Sequence, residues 1–373
     1  MALTLRERIL AVYRGDTPDV VPYMLDLSHW FYQKHGKPWD LSQAYEEPES
    51  ELVDFHRRMG AGFYMPNLGS FFAVEFPSDV QPTVAKSGDG REITWCFETP
   101  IGAIRRTRCW EDKTYAWGIR EWSLETEQDL RVLAYALARR TCTPKWDRYR
   151  AWVDVVGELG VVYLPCGYSA MGELLNYWMG IERTLLATFR WPDTMHEVID
   201  AINRCNLKLV DLLAASPAEI VIMGDNFSGD IQPPHFFDVW SKGYYVEAVR
   251  RLHAAGKCVA VHVDGRLRGA LGMIRDTGAD AADAVTPVPM GDLTPAECRE
   301  EAGPDFILSG GVSPELWLPE IPIEQFKAAV TQWLRLKDQG PRLIAAAGDQ
   351  VPPGAEQDRI EIMRDLVEEH GRF

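Results

Sequence analysis

The chain has 373 residues, 46% of them hydrophobic and 13 of them tryptophan, and carries a formal net charge of -16. That length and apolar content suit one decorated α/β barrel, residues 1–373 as a single domain. The acidic surface repels phosphate backbones and anionic lipid, so nucleic-acid and membrane partners are not expected.

The chain opens on a short amphipathic stretch with charges inside its apolar run, which reads as a helix and not as a signal peptide. Short apolar segments that read as buried strands follow at 20–25, 62–65, 161–164, 219–223, 257–263, 281–285, 305–308 and 342–346. Each ends in glycine or polar residues, and helical patterns lie between most of them, the longest at 192–215, 234–255 and 323–337. Eight strands alternating with helices predict a closed (β/α)8 TIM barrel. Residues 71–123 break the rhythm. A Gly88-Asp-Gly90 turn between alternating runs predicts an antiparallel β-hairpin inserted over the barrel mouth, and 101–110 reads as a further strand.

Seven scattered cysteines without a CxxC spacing make neither a disulfide framework nor a zinc ribbon, and point to a cytoplasmic protein. No apolar run reaches the roughly 18 residues that a membrane-spanning helix needs. GxGxxG, Walker and GxSxG patterns are absent from the sequence. Cys166 stands at a strand end, but buried cysteine is common and nothing in the sequence lowers its pKa. Gly310-Gly-Val-Ser-Pro314 reads as a capped helix start before it reads as an anion site.

The most informative run is Val259-Ala-Val-His262-Val-Asp264-Gly265. On a strand, His262 and Asp264 leave the same face, and Gly265 turns the chain away at the end of the sheet where barrel enzymes keep their chemistry. Placing all strand ends on one rim gathers Asp26, Asn67, Tyr168, Asp225, Asn226, His262, Asp264 and Asp349. His262, Asp264 and Asp349 form a candidate site for one divalent metal, zinc first. The bland alternative is that His262 bonds a substrate or a neighbouring carboxylate with no metal. Asp225 and Asp26, with His262, are the candidate acid–base groups, and Asp225 reads equally well as a loop cap. Asn226, Tyr168, Asn67, His29 and Gln350 are candidate substrate-binding residues.

These residues resemble the uroporphyrinogen decarboxylase superfamily, which includes the decarboxylase and a set of methyltransferases. The resemblance lies in Met223-Gly-Asp-Asn226, Pro233-Pro-His-Phe-Phe237, Leu252-His-Ala-Ala-Gly256, His262-Val-Asp-Gly265, Asp276-Thr-Gly-Ala-Asp280, Pro289-Met-Gly-Asp-Leu293, Ser309-Gly-Gly-Val-Ser-Pro314 and Asp349-Gln-Val-Pro-Pro353, and is loose in the N-terminal half. It implies a (β/α)8 barrel and, by analogy, a homodimer. True decarboxylases carry an arginine-rich segment after the first strand to bind substrate carboxylates. Here that place reads Leu25-Asp-Leu-Ser-His-Trp30, so the heme-pathway reaction is not implied. Thiol-accepting methyltransferases of the superfamily bind zinc through His-x-Cys and a later Cys. His262 matches the histidine, and Asp264 and Asp349 stand where the two thiolates would be. A metal held that way would be harder and suited to activating an oxygen-bound methyl group. The resemblance therefore implies a metal-assisted methyltransferase or demethylase acting on a small methylated, methoxy-aromatic substrate, with a corrinoid carried by a separate protein. A cofactor-independent decarboxylase (carboxy-lyase) of a small acid and a non-catalytic ligand-binding barrel stay open beside it.

Overall fold

The computed structural model describes residues 2–43, 45, 47–66 and 71–373. In chain order its strands are β1 (Phe72–Glu75), β2 (Gln81–Lys86), β3 (Glu92–Thr99), β4 (Gly102–Glu111), β5 (Ala116–Glu121), β6 (Thr141–Pro144), β7 (Leu164–Gly167), β8 (Ile220–Phe227), β9 (Cys258–Val263), β10 (Ala281–Val285), β11 (Ile307–Val312) and β12 (Leu343–Ala347).

Strands β7 to β12 form one parallel sheet in sequence order. Two short bridging segments close it. Tyr23 pairs with Ala345 on β12, Met24 with Gly62, and Phe63 with Gly160, all parallel. The seam is held by Met24 N–H to the Ala345 carbonyl (3.0 Å), Gly62 N–H to the Tyr23 carbonyl (2.9 Å) and Tyr163 N–H to the Tyr64 carbonyl (2.8 Å). With segments 22–25 and 62–64 counted, eight strands close into a barrel, as the alternation of apolar runs predicts. Several strands run further toward the rim than their apolar runs, β11 to Val312 and β8 to Phe227.

Strand alternation separates two faces. Val221, Met223, Val259, Val261, Val285 and Leu308 pack outward against the helices. Ile220, Ile222, Ala260, Ala281, Ile307 and Ile344 pack inward with Met24, Tyr64 and Tyr163. Each fully buried Val, Leu or Ile contributes about 1.5–3 kcal/mol. The helix Leu5–Arg14 plugs the floor of this interior with Ile9, Val12 and Tyr13. It starts on a Thr4–Glu7 capping box and stops at Gly15, whose φ of 86° permits the left-handed cap. An apolar floor leaves the opposite end of the barrel for polar groups.

Two expected helices differ. The pattern 234–255 is broken at Ser241 into Pro234–Trp240 and Lys242–Ala254. The pattern 323–337 ends as an α-helix at Leu334 and tightens into a 3-10 turn.

The insertion is larger than a hairpin. β2 to β5 form a four-stranded antiparallel meander, and β1 pairs with β6, beyond residue 123. The run Ala116–Glu121 supplies the additional edge through Trp110–Trp117 pairing, which its mixed composition does not advertise. The meander packs on the turn Leu174–Trp178 and on Trp39, both in loops that follow barrel strands, so it stands at the rim. No helix among the described residues is long and apolar enough to cross a membrane.

Candidate active site

Inward-facing positions run from the apolar floor to a polar rim. Two residues along from Ala260 and Ala281 come His262 and Asp283, paired in register across β9 and β10. Two further on from His262 comes Asp264. The rim holds a cavity of about 320 Å³. Asp26, His262, Asp264, Asp283, Asp349 and Gln350 line its polar side, and Tyr64, Met65, Pro165 and Ile222 its apolar side. Tyr168 and Asn226 complete it, the phenol donating to Asn226 Oδ1 at 3.2 Å.

His262 is the centre of charge. Its Nδ1 bonds Asp283 Oδ2 at 3.1 Å, and its Nε2 lies 3.9 Å from Asp349 Oδ1. Burial opposes the imidazolium, but the Asp283 hydrogen bond and the fields of Asp349, Asp283 and Asp264 outweigh it and push the pKa up to about 9. Asp349 moves the other way from an ordinary carboxyl. Withdrawal from water raises it to about 6, His262 opposes that, and Asp264, Asp26 and Asp283 add to it. Asp26 is raised by burial against the two Ser28 bonds, backbone N–H at 2.9 Å and hydroxyl at 2.6 Å. Asp283 is 1% exposed, and Ser309 Oγ donates to its other oxygen at 3.4 Å.

The structure therefore gathers Asp26, His262, Asp264, Asp349, Gln350, Tyr168 and Asn226. It does not gather Asp225. Strand parity turns Gly224 and Asn226 inward and Asp225 outward, where Ser169 N–H (2.6 Å), the Ser169 hydroxyl and Tyr245 Oη (2.6 Å) all donate to its carboxylate. Asp225 anchors the turn after β7 and touches no part of the cavity. His29 also stands apart, its ring 4.4 Å from Trp39 and its pKa lowered by burial to about 4. Asn67 lies outside the described residues. Cys166 is buried, and burial pushes its thiol up to about 12, against a thiolate role.

Asp283 and Tyr64 escaped the strand-end reasoning because they sit inside strands. The signal for Asp283 was present: one carboxylate within the otherwise apolar run Ala281–Val285 demands a buried partner. The backbone is strained beside it and across the cavity, with Ala284 at φ 63° and Asn226 at φ 47°.

The expected metal centre does not fit these residues. Among the described residues, no three His, Cys, Asp or Glu side chains are grouped to hold an ion. With no ion present, the carboxylates around His262 push its pKa up to about 9 and favour the imidazolium, whereas a ligating imidazole is neutral. Carboxylates at 264 and 349 attract the imidazolium in place of sharing a cation.

Comparison with curated proteins finds no match. Among solved structures, a methyltransferase from Methanosarcina mazei aligns over 99% of both chains at 14% identity with a TM-score of 0.64, which establishes a shared fold. A xylose isomerase-like TIM barrel protein from Mycobacterium smegmatis aligns over 60% of this chain and 76% of its own at 12% identity, with a TM-score of only 0.30. The citrate synthase SbnG aligns over 44% and 70% at 15% identity, with a TM-score of 0.27. The family model Uroporphyrinogen decarboxylase (URO-D) matches residues 168–370, more than half of the chain and all of the rim from Tyr168 to Asp349. This chain belongs to the uroporphyrinogen decarboxylase (URO-D) family.

Proposed function

We propose that this protein is a methyltransferase that moves a methyl group from a small neutral or cationic donor, a methoxy-aromatic ether first, to a corrinoid carried by a separate protein. The charge of the cavity carries the reading. Four carboxylates, Asp26, Asp264, Asp283 and Asp349, face one imidazolium, and no lysine or arginine among the described residues lines the space. A substrate whose reacting end is a carboxylate would enter against those charges, which weighs against the carboxy-lyase alternative. Family membership supports an enzyme, and the Methanosarcina mazei methyltransferase shares the fold only.

The corrinoid supplies the nucleophile that accepts the methyl group. The chain's own residues act on the leaving atom. When the methyl–oxygen bond breaks, its electron pair stays on oxygen, and His262 Nε2 gives that oxygen its proton. A phenol's pKa is about 10, so transfer from an imidazolium near 9 is almost balanced. Asp283 holds the ring through Nδ1 and keeps it charged before transfer. Asp349, beside Nε2, aligns the proton with the cavity. Tyr64, Met65 and Ile222 offer an apolar wall to the donor's ring.

The test incubates the full chain with cob(I)alamin and a panel of methoxybenzenes and methylamines, following methyl transfer by the cobalt spectrum. Transfer from at least one donor is expected, slowed about 10²-fold or more in His262→Gln. No transfer from any donor, or carbon dioxide release from a small acid without added cofactor, would overturn the reading.

A further inference from the structure

The barrel-facing side of the meander carries charge opposite to that of the cavity. Register pairs Trp95 with Arg106 and Ile93 with Arg108, so these side chains share one face of the sheet. The Arg106 guanidinium lies over Trp95, Tyr177 and Trp178 at 5.1, 4.8 and 4.5 Å from their ring centres, and Arg108 over Tyr177 at 4.7 Å. Tyr177 packs edge-on against Tyr168 at 4.7 Å, and Tyr168 lines the cavity. Two rings thus separate the guanidinium pair from the cavity.

Neither arginine has a carboxylate partner among the described residues. Arg106 Nη1 donates to the Tyr177 carbonyl at 3.3 Å, and the Nε of both arginines is buried without a hydrogen bond. Glu173 is already taken by Trp178 Nε1 at 3.0 Å and Arg140 at 3.7 Å. Burial and the like charge of Arg108 lower Arg106 to about 10, against the opposing field of Glu173. Carboxylates are not scarce in this sheet. Arg91 pairs with Asp112, Arg105 with Glu121 and Arg120 with Glu92. In a chain of net charge -16, two half-buried guanidiniums side by side with no carboxylate in ion-pair contact among the described residues stand out. A guanidinium stacked on a ring keeps its edge donors free for a planar or tetrahedral anion, and buried donors left unpaired are costly.

We infer that Arg106 and Arg108 form an anion-recognition site at the barrel mouth, which takes the carboxylate or phosphate end of a small molecule. The molecule is bipolar: anion between meander and barrel, and a neutral or cationic end in the acidic cavity. Assigning the methyl group to that inner end rests on the function proposed above; the anion site itself rests on its own geometry.

Isothermal titration of the full chain with benzoate and, separately, with inorganic phosphate tests the site. At least one anion binds, the binding weakens with ionic strength, and Arg108→Gln lowers the affinity tenfold or more. Arg105→Gln, on the opposite face of the same strand, leaves the affinity within twofold. Tighter benzoate binding assigns an aromatic acid, and tighter phosphate binding a phosphorylated ligand. Binding of neither anion, binding unchanged in Arg108→Gln, or an equal loss in Arg105→Gln overturns the inference. The Arg108 side chain makes no hydrogen bond among the described residues, so its variant retains the fold even if Arg106→Gln does not. None of these outcomes depends on methyl transfer.

Discussion

Asp283→Asn keeps the shape of the buried side chain and removes the charge that faces His262 Nδ1 at 3.1 Å. The gap between about 9 and the ordinary 6.5 corresponds to about 3 kcal/mol in favour of the imidazolium. Burial works against that sum, and Asp283 is its foremost favourable contributor, ahead of Asp349 and Asp264. Assigning about half to Asp283 moves the titration down by more than about one pH unit, into the range near 7 to 8. Proton NMR of the imidazole resonances follows the titration directly, with His262 identified by its loss in His262→Gln. Stability carries the same signature. A histidine whose pKa is raised on folding stabilises the fold fully below 6.5 and loses that contribution as pH rises through about 9. Denaturant unfolding of Asp283→Asn therefore shows its largest deficit on the acid side of 6.5, and the difference vanishes or reverses above 9, where wild type buries an uncompensated Asp283. A His262 titration that stays near 9 in the variant, or that sits at 6.5 in wild type, would refute the coupling.

Tyr245→Phe removes one of the donors to the buried Asp225 carboxylate and costs about 1–3 kcal/mol. Denaturant melts should show that loss while turnover at a permissive temperature holds; a tenfold fall in turnover without a stability change would put Asp225 back into the chemistry. Gly160→Ala would place a Cβ 1.8 Å from the Phe63 carbonyl oxygen, at the seam between the second and third barrel strands. Loss of soluble folded protein by circular dichroism is expected, because backbone cannot yield as a flexible side chain can. Dialysis against a chelator leaves turnover within about twofold, since the groups at 262, 264 and 349 are not arranged to hold a cation. Elemental analysis giving one metal per chain, lost in His262→Ala and Asp349→Ala, would refute that.

Strand order was legible because a barrel strand buried on both faces must be an apolar run, and each such run ended where the chain turned polar. Positions 262 and 264 could be assigned to one face by alternation alone. The same alternation, applied from Gly224, would have turned Asp225 outward; reading it as a strand end hid that parity. The insertion's hairpin and its further strand at 101–110 are legible, but its last strand, Ala116–Glu121, is not, because its pairing comes from its neighbour Gly102–Glu111 and not from its own mixed composition.

Composition and periodicity by themselves determined the eightfold alternation of strands and helices and the polar strand ends at which chemistry collects. Only the tertiary structure decided that Asp283 faces His262, that the carboxylates around His262 favour its protonated form, and that Arg106 and Arg108 stand without a carboxylate partner among the described residues above the cavity. The physical reason is range. Hydrophobic periodicity is a local property, whereas the charge state of an imidazole depends on carboxylates 21 and 87 residues away along the chain, brought within hydrogen-bond or ion-pair reach by barrel closure.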